Sequence, residues 1–117
     1  MKALSGVELI AAERQRQIDK FRYTALSDDH YSKPELVLAA ISYACVVARP
    51  DTEAEGRMEH TRAANDWPWP PMSWNPSNDP VRNLVKAGAL IAAEIDRLQR
   101  LKSKQKTENE REAKISP

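Results

Sequence analysis

Residues 36–48 read LVLAAISYACVVA and contain no charged side chain. If this segment is drawn as a helix, large apolar residues lie on both of its sides, and Ser42 is the only clearly polar interruption. A helix that is apolar all round is buried all round. The segment is too short to cross a bilayer. It is therefore predicted to be the central helix of a small bundle, in contact with partner helices or with a second subunit.

The segments before this helix contain start signals of their own. Residues 32–35 (SKPE) and 5–8 (SGVE) each have the form of a capping box. The first helix is expected to begin near Ser5 and to fade near Arg22. Its apolar stripe is predicted to consist of Val7, Ile10, Ala11, Ile18 and Phe21. Arg14 lies within that stripe, whereas Glu13 and Arg16 are expected on the opposite, solvent-facing side.

The segments after the central helix are a proline-rich stretch and a second long helical pattern. Residues 67–76 read WPWPPMSWNP, which excludes a helix or a central strand and favours an extended strap. Residues 79–80 (DP) are an N-cap followed by a first-turn proline. The next helix has a continuous apolar stripe with small residues that permit close packing: Leu84, Ala87, Gly88, Ile91, Ile95 and Leu98.

The predicted fold is an all-α three-helix bundle, or a four-helix bundle if residues 52–64 also form a short polar helix. Residues 1–101 are predicted to be one domain, and the charged residues 102–117 a disordered tail.

The chain has 117 residues, a formal charge of +1 and one cysteine. These values exclude a broad nucleic-acid-binding surface and an intramolecular disulfide. No membrane span or signal peptide is recognised, so a cytoplasmic protein is expected.

Residues 28–30 (DDH) form the densest cluster of titratable groups. They could bind a metal ion if Glu35 or Glu94 completed the ligand set, or they could be a solvated loop in which the aspartates cap turns. Arg14 and Glu94 lie on or beside apolar stripes, and a buried charge needs a partner. They could form a structural ion pair, with each other or with Glu35, or they could line a polar pocket that takes a phosphate.

The three tryptophans of the strap could stack on a nucleobase or could close over a small, alanine-rich core. Lys86 and Arg82 lie on the polar face of the last helix, where they could bind phosphate or could simply be solvated. Cys45 is expected to be an inert residue of the central helix.

The sequence contains no P-loop, no G-x-G-x-x-G, no G-x-S-x-G, no H-E-x-x-H and no C-x-x-C motif. Whether the protein is an enzyme stays open, and these absences favour a binding protein.

Several segments together resemble a family of small helical proteins encoded by tailed phages and prophages. These segments are residues 13–18 (ERQRQI), 28–30 (DDH), 35–44, 67–76 and 84–95 (LVKAGALIAAEI). Members of the family are likened to MazG-type nucleotide pyrophosphohydrolases, which hold magnesium with E-x-x-E and E-x-x-D carboxylates. This chain has neither spacing. Phages also encode small helical oligomers that sequester nucleotide signals of host defence.

The leading hypothesis is therefore a phage-type protein that binds a nucleotide-like ligand, without a cofactor, and removes a host signal. The alternatives are a magnesium-dependent nucleoside triphosphate pyrophosphohydrolase with Asp28, Asp29, Glu35 and Glu94 as metal ligands, and an inhibitor that binds a host protein through the strap. A homo-oligomer is expected. The candidate ligand-binding residues are Arg14, Asp28, Asp29, His30, Glu35, Trp67, Trp69, Trp74, Lys86 and Glu94.

Overall fold

Three α-helices and no strand are found in the residues that a computed structural model of the chain describes, which are 3–21, 34–48 and 66–115. The helices are α1 (Gly6–Phe21), α2 (Glu35–Ala48) and α3 (Pro80–Ile115), and a short 3-10 helix (Pro71–Ser73) lies in the strap. The predicted all-α class is confirmed. The predicted helix at 52–64 lies outside the described residues.

Two of the predicted start signals are present as hydrogen bonds. At the start of α1, Ser5 N–H donates to Glu8 Oε1 over 2.9 Å, and Glu8 N–H donates to Ser5 Oγ over 3.2 Å. At the start of α3, Val81 N–H donates to Asp79 Oδ1 over 3.0 Å. These bonds satisfy amides that have no partner inside the helix, so local sequence is sufficient to determine both starts.

α2 forms the centre of the core, as its sequence predicts. Leu36, Ala39, Ala40 and Tyr43 of α2 pack in one buried cluster with alanine and leucine residues of α3. α3 packs against both other helices, more extensively against α2 than against α1. None of the described helices combines the length and apolarity that a membrane span requires.

The buried face of α3 differs from the predicted stripe. The buried apolar residues are mainly small ones, and Leu84, Ile91, Ile95 and Leu98 are instead among the exposed large hydrophobic residues; the buried set is Val85, Ala87, Ala89, Leu90 and Ala93. Small side chains let two helices approach α3 closely, and this close packing outweighs the burial of the larger residues. Gly88 does permit the expected close contact, because a methyl group built on it would lie 2.6 Å from Ile10 Cδ1.

The C-terminal segment corrects the expectation of disorder. α3 continues without a break to Ile115, although every residue from 101 to 114 is exposed. Lysines and glutamates four residues apart, such as Lys106 and Glu110, can stabilise an exposed helix by about 0.2–0.5 kcal/mol per pair. Helix propensity and these pairs therefore account for this segment, in which no side chain is buried.

Candidate functional site

A buried carboxylate, Glu13, lies where α1 packs against α3, and only 2% of its surface is exposed. Arg16 donates two hydrogen bonds to it, from Nε over 2.7 Å and from Nη2 over 3.0 Å. Arg82 of α3 donates a further bond to Oε1, and Gln17 Nε2 donates to Oε2 over 3.3 Å. A buried carboxylate without partners would cost several kcal/mol. These four bonds therefore make the burial of Glu13 possible, and the one from Arg82 ties α1 to α3.

The environment keeps Glu13 ionised. Burial by itself would raise the pKa of Glu13, but the hydrogen bonds and charges of Arg16 and Arg82 outweigh it and lower that pKa. The hydrogen bond to Glu13 likewise raises the pKa of Arg16. At neutral pH the cluster therefore contains two guanidinium groups and one carboxylate, and it retains a net positive charge.

This arrangement corrects the predicted orientation of α1. Glu13 and Gln17 are buried, although Glu13 was expected to face solvent, and Val7 of the predicted apolar stripe is 79% exposed. The buried face of α1, centred on Glu13 and Gln17, is turned by about 90° around the helix axis from the centre of the predicted stripe. Arg82 provides the counter-charge for Glu13, and Gly88 provides space for Ile10. These two contacts with α3 account for the observed rotation.

Aromatic side chains from α2 and the strap form a cluster beside Glu13. Tyr43 lies 5.5 Å from Trp67 and 5.0 Å from Trp74, measured between ring centroids. Trp67 also lies 5.1 Å from Trp69, in an edge-to-face arrangement, and 5.0 Å from Trp74. All three indoles are half-buried and pack against the core. They therefore close over the core, which is the structural one of the two roles considered for them.

Hydrogen bonds hold the strap in this position at two places. Trp67 Nε1 donates to Ser73 Oγ over 2.9 Å, and Ser73 Oγ donates to the carbonyl of Pro70 over 2.6 Å. In the first turn of α3, the buried side-chain amide of Asn83 accepts a hydrogen bond from Ser77 N–H and donates one to the Ser77 carbonyl, each over 2.8 Å. The strap is therefore joined to α3 by a bidentate bond, so the indoles do not depend on stacking alone for their placement.

An open cavity of about 540 Å³ lies between α1, α2, α3 and the strap. Its wall contains four aromatic rings, three cations and a single carboxylate. The lining residues are Glu13, Arg16, Gln17, Lys20, Tyr43, Trp67, Trp69, Met72, Ser73, Trp74, Asn75, Lys86 and Leu90. A cavity of this size is within the range of about 300–1,000 Å³ that small-molecule sites occupy.

Lys86 connects the cationic and aromatic parts of the wall. Its Nζ donates to the carbonyl of Asn75 over 3.0 Å and lies 5.3 Å from the ring centroid of Tyr43. Burial lowers the pKa of Lys86, and the positive charge of Arg82 lowers it further. Lys86 is thus half-buried beside the cavity, and the solvated position considered for it is not observed.

The cavity brings together four of the candidate residues, namely Trp67, Trp69, Trp74 and Lys86. Arg14 and Glu35 are half-buried and do not line it. Glu94 is buried outside the cavity and accepts hydrogen bonds from Arg97 Nε over 2.5 Å and Nη2 over 3.2 Å. Its role among the described residues is therefore that of a structural ion pair, with a partner that the sequence did not indicate.

The predicted metal ligands are not brought together in the part of the chain that the structure describes. No group of three or more histidine, cysteine, aspartate or glutamate residues is found there. Glu35 and Glu94 lie on different helices, and Asp28, Asp29 and His30 lie outside the described residues. One oxygen of Glu35, Oε2, is buried without a hydrogen-bond partner among the described groups.

Sequence reasoning missed nine of the thirteen lining residues, and five of the nine lie on α1 and α2: Glu13, Arg16, Gln17, Lys20 and Tyr43. A signal for the first four exists, because positions 13, 16, 17 and 20 follow the spacing of one helix face. This polar face competes with the apolar face beside it, so the spacing alone does not show which of the two meets α3. Tyr43 could not be distinguished from the other residues of an apolar helix.

Comparison of the chain with models of known protein families, with curated proteins and with solved structures finds no match. The function is therefore inferred from the chemistry of the cavity itself.

Proposed function

We propose that the protein binds a small nucleotide-like ligand, an aromatic base carrying phosphate, in the cavity between the helices and the strap. The observation that supports this proposal is the presence of indole rings and cationic side chains in the wall of one cavity. Indoles stack on bases, and ammonium or guanidinium groups bind phosphate. A nucleotide contains both partners within one molecule, so it matches the two halves of the wall simultaneously.

The charges of the wall support an anionic ligand. Arg16, Lys20 and Lys86 line the cavity, and Glu13 is the only acidic side chain among its lining residues. Glu13 already accepts hydrogen bonds from Arg16 and Arg82, so its charge is compensated within the protein. Two arginines and one carboxylate leave one positive charge in this cluster, and Lys20 and Lys86 add two more. A phosphate placed among them would also reduce the cost of holding Lys86 partly buried.

The aromatic part of the wall supports a planar group on the same ligand. Trp67, Trp69 and Trp74 line the cavity together with Tyr43, and stacking on such side chains is worth about 1–3 kcal/mol per base. The rings also pack on one another, so they are held in place before a ligand arrives. A preformed wall loses little side-chain freedom on binding, which favours affinity.

Two lining residues also contain a buried polar atom without a hydrogen-bond partner among the described groups. Gln17 Nε2 donates to Glu13, so its amide oxygen is oriented away from that carboxylate. Gln17 Oε1 and Trp74 Nε1 are buried without hydrogen-bond partners among the described residues.

We further propose that the bound nucleotide is sequestered and not hydrolysed, in line with the resemblance to phage-encoded proteins. The only carboxylate in the wall, Glu13, is engaged by two arginines, whereas a pyrophosphohydrolase would require several carboxylates free to hold magnesium. The magnesium-dependent reaction stays an alternative, with Asp28, Asp29, Glu35 and Glu94 as its predicted ligands. Recovery of the nucleotide intact or hydrolysed decides between the two.

The first experiment is a binding assay on the full chain by calorimetry and thermal shift. The ligands are a panel of nucleoside phosphates and cyclic nucleotides, with the matching nucleosides and inorganic phosphate as partial ligands. We expect one or more nucleotides to raise the Tm, and each partial ligand to have a weaker effect. The nucleotide is then recovered after incubation with magnesium and analysed by chromatography. Intact recovery supports sequestration, and released phosphate supports the enzyme.

Two matched lysine variants test the site. Lys86→Gln removes a cation from the cavity wall and should weaken nucleotide binding by about tenfold or more, since a charge-assisted contact contributes about 1.5–3 kcal/mol. Lys102→Gln removes an equal charge from an exposed position on α3 and should leave affinity unchanged. If both variants lower affinity equally, or if no nucleotide binds, the proposed site is wrong. Co-purification of a host protein that requires the strap would instead favour the inhibitor.

The pH dependence of binding gives an independent check. Because burial and Arg82 lower the pKa of Lys86, its charge is lost at a lower pH than that of an ordinary lysine. Nucleotide affinity should therefore begin to fall at moderately alkaline pH. In Lys86→Arg the charge persists, because the guanidinium pKa is above about 12, so the alkaline loss should disappear.

A further inference from the structure

The cationic part of the cavity contains more positive charge than its one carboxylate compensates. Glu13 accepts hydrogen bonds from Arg16 and Arg82. Lys20 and Lys86 also line the cavity. These four cations and one carboxylate leave an excess of three positive charges among the described residues. An anion with about three negative charges would match that excess.

The charges on α1 and α3 lie close enough to act on one another. Burial lowers the pKa of Lys86, and the charges of Arg82 and Arg16 lower it further, whereas the charge of Glu13 raises it. Arg82 and Lys86 are four residues apart on α3, so they project from the same side of that helix. Like charges from two helices therefore meet at one cavity.

The described wall offers no second acid against these cations. Glu13 is the only acidic side chain among the lining residues. Asp19 precedes Lys20 in sequence, but its Oδ1 accepts a hydrogen bond from Gln15 Nε2 over 2.9 Å, and it does not line the cavity. The excess charge of the wall is therefore available to a ligand.

The cations are distributed over two walls and do not surround a single point. Arg16 and Lys20 are four residues apart on α1, so their backbones are separated by about 6 Å along the helix axis. Lys86 lies on α3, and its Nζ is 5.3 Å from the ring centroid of Tyr43. Lys86 is therefore the cation beside the rings, whereas Lys20 lies one helical turn beyond Arg16 on the other wall. A chain of phosphates matches this distribution better than one phosphate does.

We propose, resting on the nucleotide site proposed above, that the ligand carries a chain of two or more phosphates, with the first beside Lys86 and Arg16 and the next beside Lys20. A phosphate monoester carries about 1.5 to 2 negative charges at neutral pH, and a phosphodiester group carries about one. A diphosphate contains one group of each kind and so carries about three negative charges. A nucleoside diphosphate is therefore the smallest of these ligands that compensates the wall.

Magnesium should weaken the binding of such a ligand. The cationic side chains and Mg²⁺ compensate the same phosphate charges, and a bound Mg²⁺ reduces the charge of the ligand by two. The metal-free nucleotide is therefore the form that the wall binds. A magnesium-dependent enzyme would show the opposite effect, because it binds its substrate through the metal ion.

Calorimetry on the full chain without magnesium tests the phosphate chain. The ligands are adenosine monophosphate, adenosine diphosphate and cyclic adenosine monophosphate, and the corresponding guanosine compounds. Within a series the diphosphate should bind about tenfold or more tightly than the monophosphate, because it adds a charge-assisted contact, and the cyclic compound should bind least tightly. Equal affinities for the monophosphate and the diphosphate, or tighter binding of the diphosphate with magnesium, would overturn the proposal and leave the nucleotide site standing.

Inorganic pyrophosphate and inorganic phosphate, measured in the same way, separate the phosphate chain from the base. Pyrophosphate should bind more tightly than phosphate, and less tightly than the nucleoside diphosphates. If pyrophosphate shows this preference but no nucleotide binds more tightly than pyrophosphate, the phosphate chain is supported and the proposed nucleotide function is wrong. If pyrophosphate binds no more tightly than phosphate, the phosphate chain is wrong.

Lys20→Gln tests the position of the second phosphate. Lys20 is exposed, so the fold should not depend on it. The variant should lower affinity for the diphosphate by about twofold to fivefold, as for an exposed ion pair, and should leave affinity for the monophosphate unchanged. Lys102→Gln removes an exposed lysine that does not line the cavity and should change neither affinity. An equal loss for both ligands in Lys20→Gln, or no loss for either, would overturn the proposal.

Discussion

Removal of both arginines that bind Glu13 should destabilise the fold by more than the two single substitutions together. Glu13 is buried, whereas the side chains of Arg16 and Arg82 are 38% and 36% exposed. In Arg16→Ala or Arg82→Ala the carboxylate keeps one guanidinium partner. Each lost bond is partly replaced by water, so we expect a loss of about 1 kcal/mol in the free energy of unfolding per single variant.

The double variant leaves a buried carboxylate with only the Gln17 amide as a donor. Loss of the partners of a fully buried charge costs about 3–5 kcal/mol, and the remaining hydrogen bond places the expected loss at about 3 kcal/mol. The coupling energy between Arg16 and Arg82 is then about 1 kcal/mol. The excess arises because one remaining arginine still compensates the buried charge of Glu13. The cost of removing that carboxylate from water therefore appears only when both arginines are replaced.

The pH dependence of stability should reverse sign in the double variant. In the natural chain the arginines lower the pKa of Glu13 in the folded state, so its contribution is present above the unfolded pKa of about 4.3. That contribution is lost as pH falls through the folded pKa. Without the arginines, burial raises the folded pKa above the unfolded one. Ionised Glu13 then destabilises the fold, and stability recovers as pH falls.

Urea unfolding followed by circular dichroism, from pH 3 to 8 at one protein concentration, measures both effects. Lys102→Ala, which removes an exposed cation, is the matched control and should change stability by less than about 0.5 kcal/mol. The reasoning is refuted if the double variant loses only as much unfolding free energy as the two single variants together. It is also refuted if the double variant loses as much stability as the natural chain when the pH falls over the range in which Glu13 is protonated.

Three further predictions concern packing. Asn83→Ala removes the bidentate bond to Ser77 and should cost about 1–3 kcal/mol of stability by urea unfolding, together with a change in tryptophan fluorescence as the strap loosens. Gly88→Ala should gain about 1 kcal/mol of helix propensity but lose about 1–3 kcal/mol through overpacking of Ile10. The loss should shrink when Ile10→Ala is added, and equal effects with and without it would exclude that contact. Deletion of residues 104–117 should lower the helical signal while changing unfolding free energy by less than about 0.5 kcal/mol, because the described side chains there are exposed.

Local sequence was sufficient to predict where two helices begin and which helix is central. The bonds of Ser5 with Glu8 and of Asp79 with Val81 involve residues two or three positions apart, so no distant partner is needed. The central position of α2 was predicted because residues 36–48 are uncharged and apolar on both sides. Burial on every side was not, since Ile41 is 45% exposed. The indoles were assigned to one strap because the prolines exclude a long α-helix and a central strand there, and the single turn of 3-10 helix at Pro71–Ser73 is compatible with them.

The rotation of α1 and the buried face of α3 could not be predicted in this way. Each helix has two faces that could be buried against its neighbours. The free energy of burying either face depends on side chains that are distant in sequence. Glu13 is buried because Arg82, 69 residues later, lies opposite it. The large residues of α3 stay exposed because its alanines allow α1 and α2 to approach more closely.

The sequence by itself determined the helical class, the helix starts, the apolar centre and the composition of the strap, since these depend on propensity, capping and hydrophobic pattern over a few residues. Only the tertiary structure decided that the strap's indoles share a cavity with Arg16, Lys20 and Lys86. It also decided that Leu84, Ile91, Ile95 and Leu98 stay exposed. The physical reason is that burial of a charge or exposure of an apolar side chain depends on which partner offers the compensating contact. That partner is specified by packing in three dimensions and not by position along the chain.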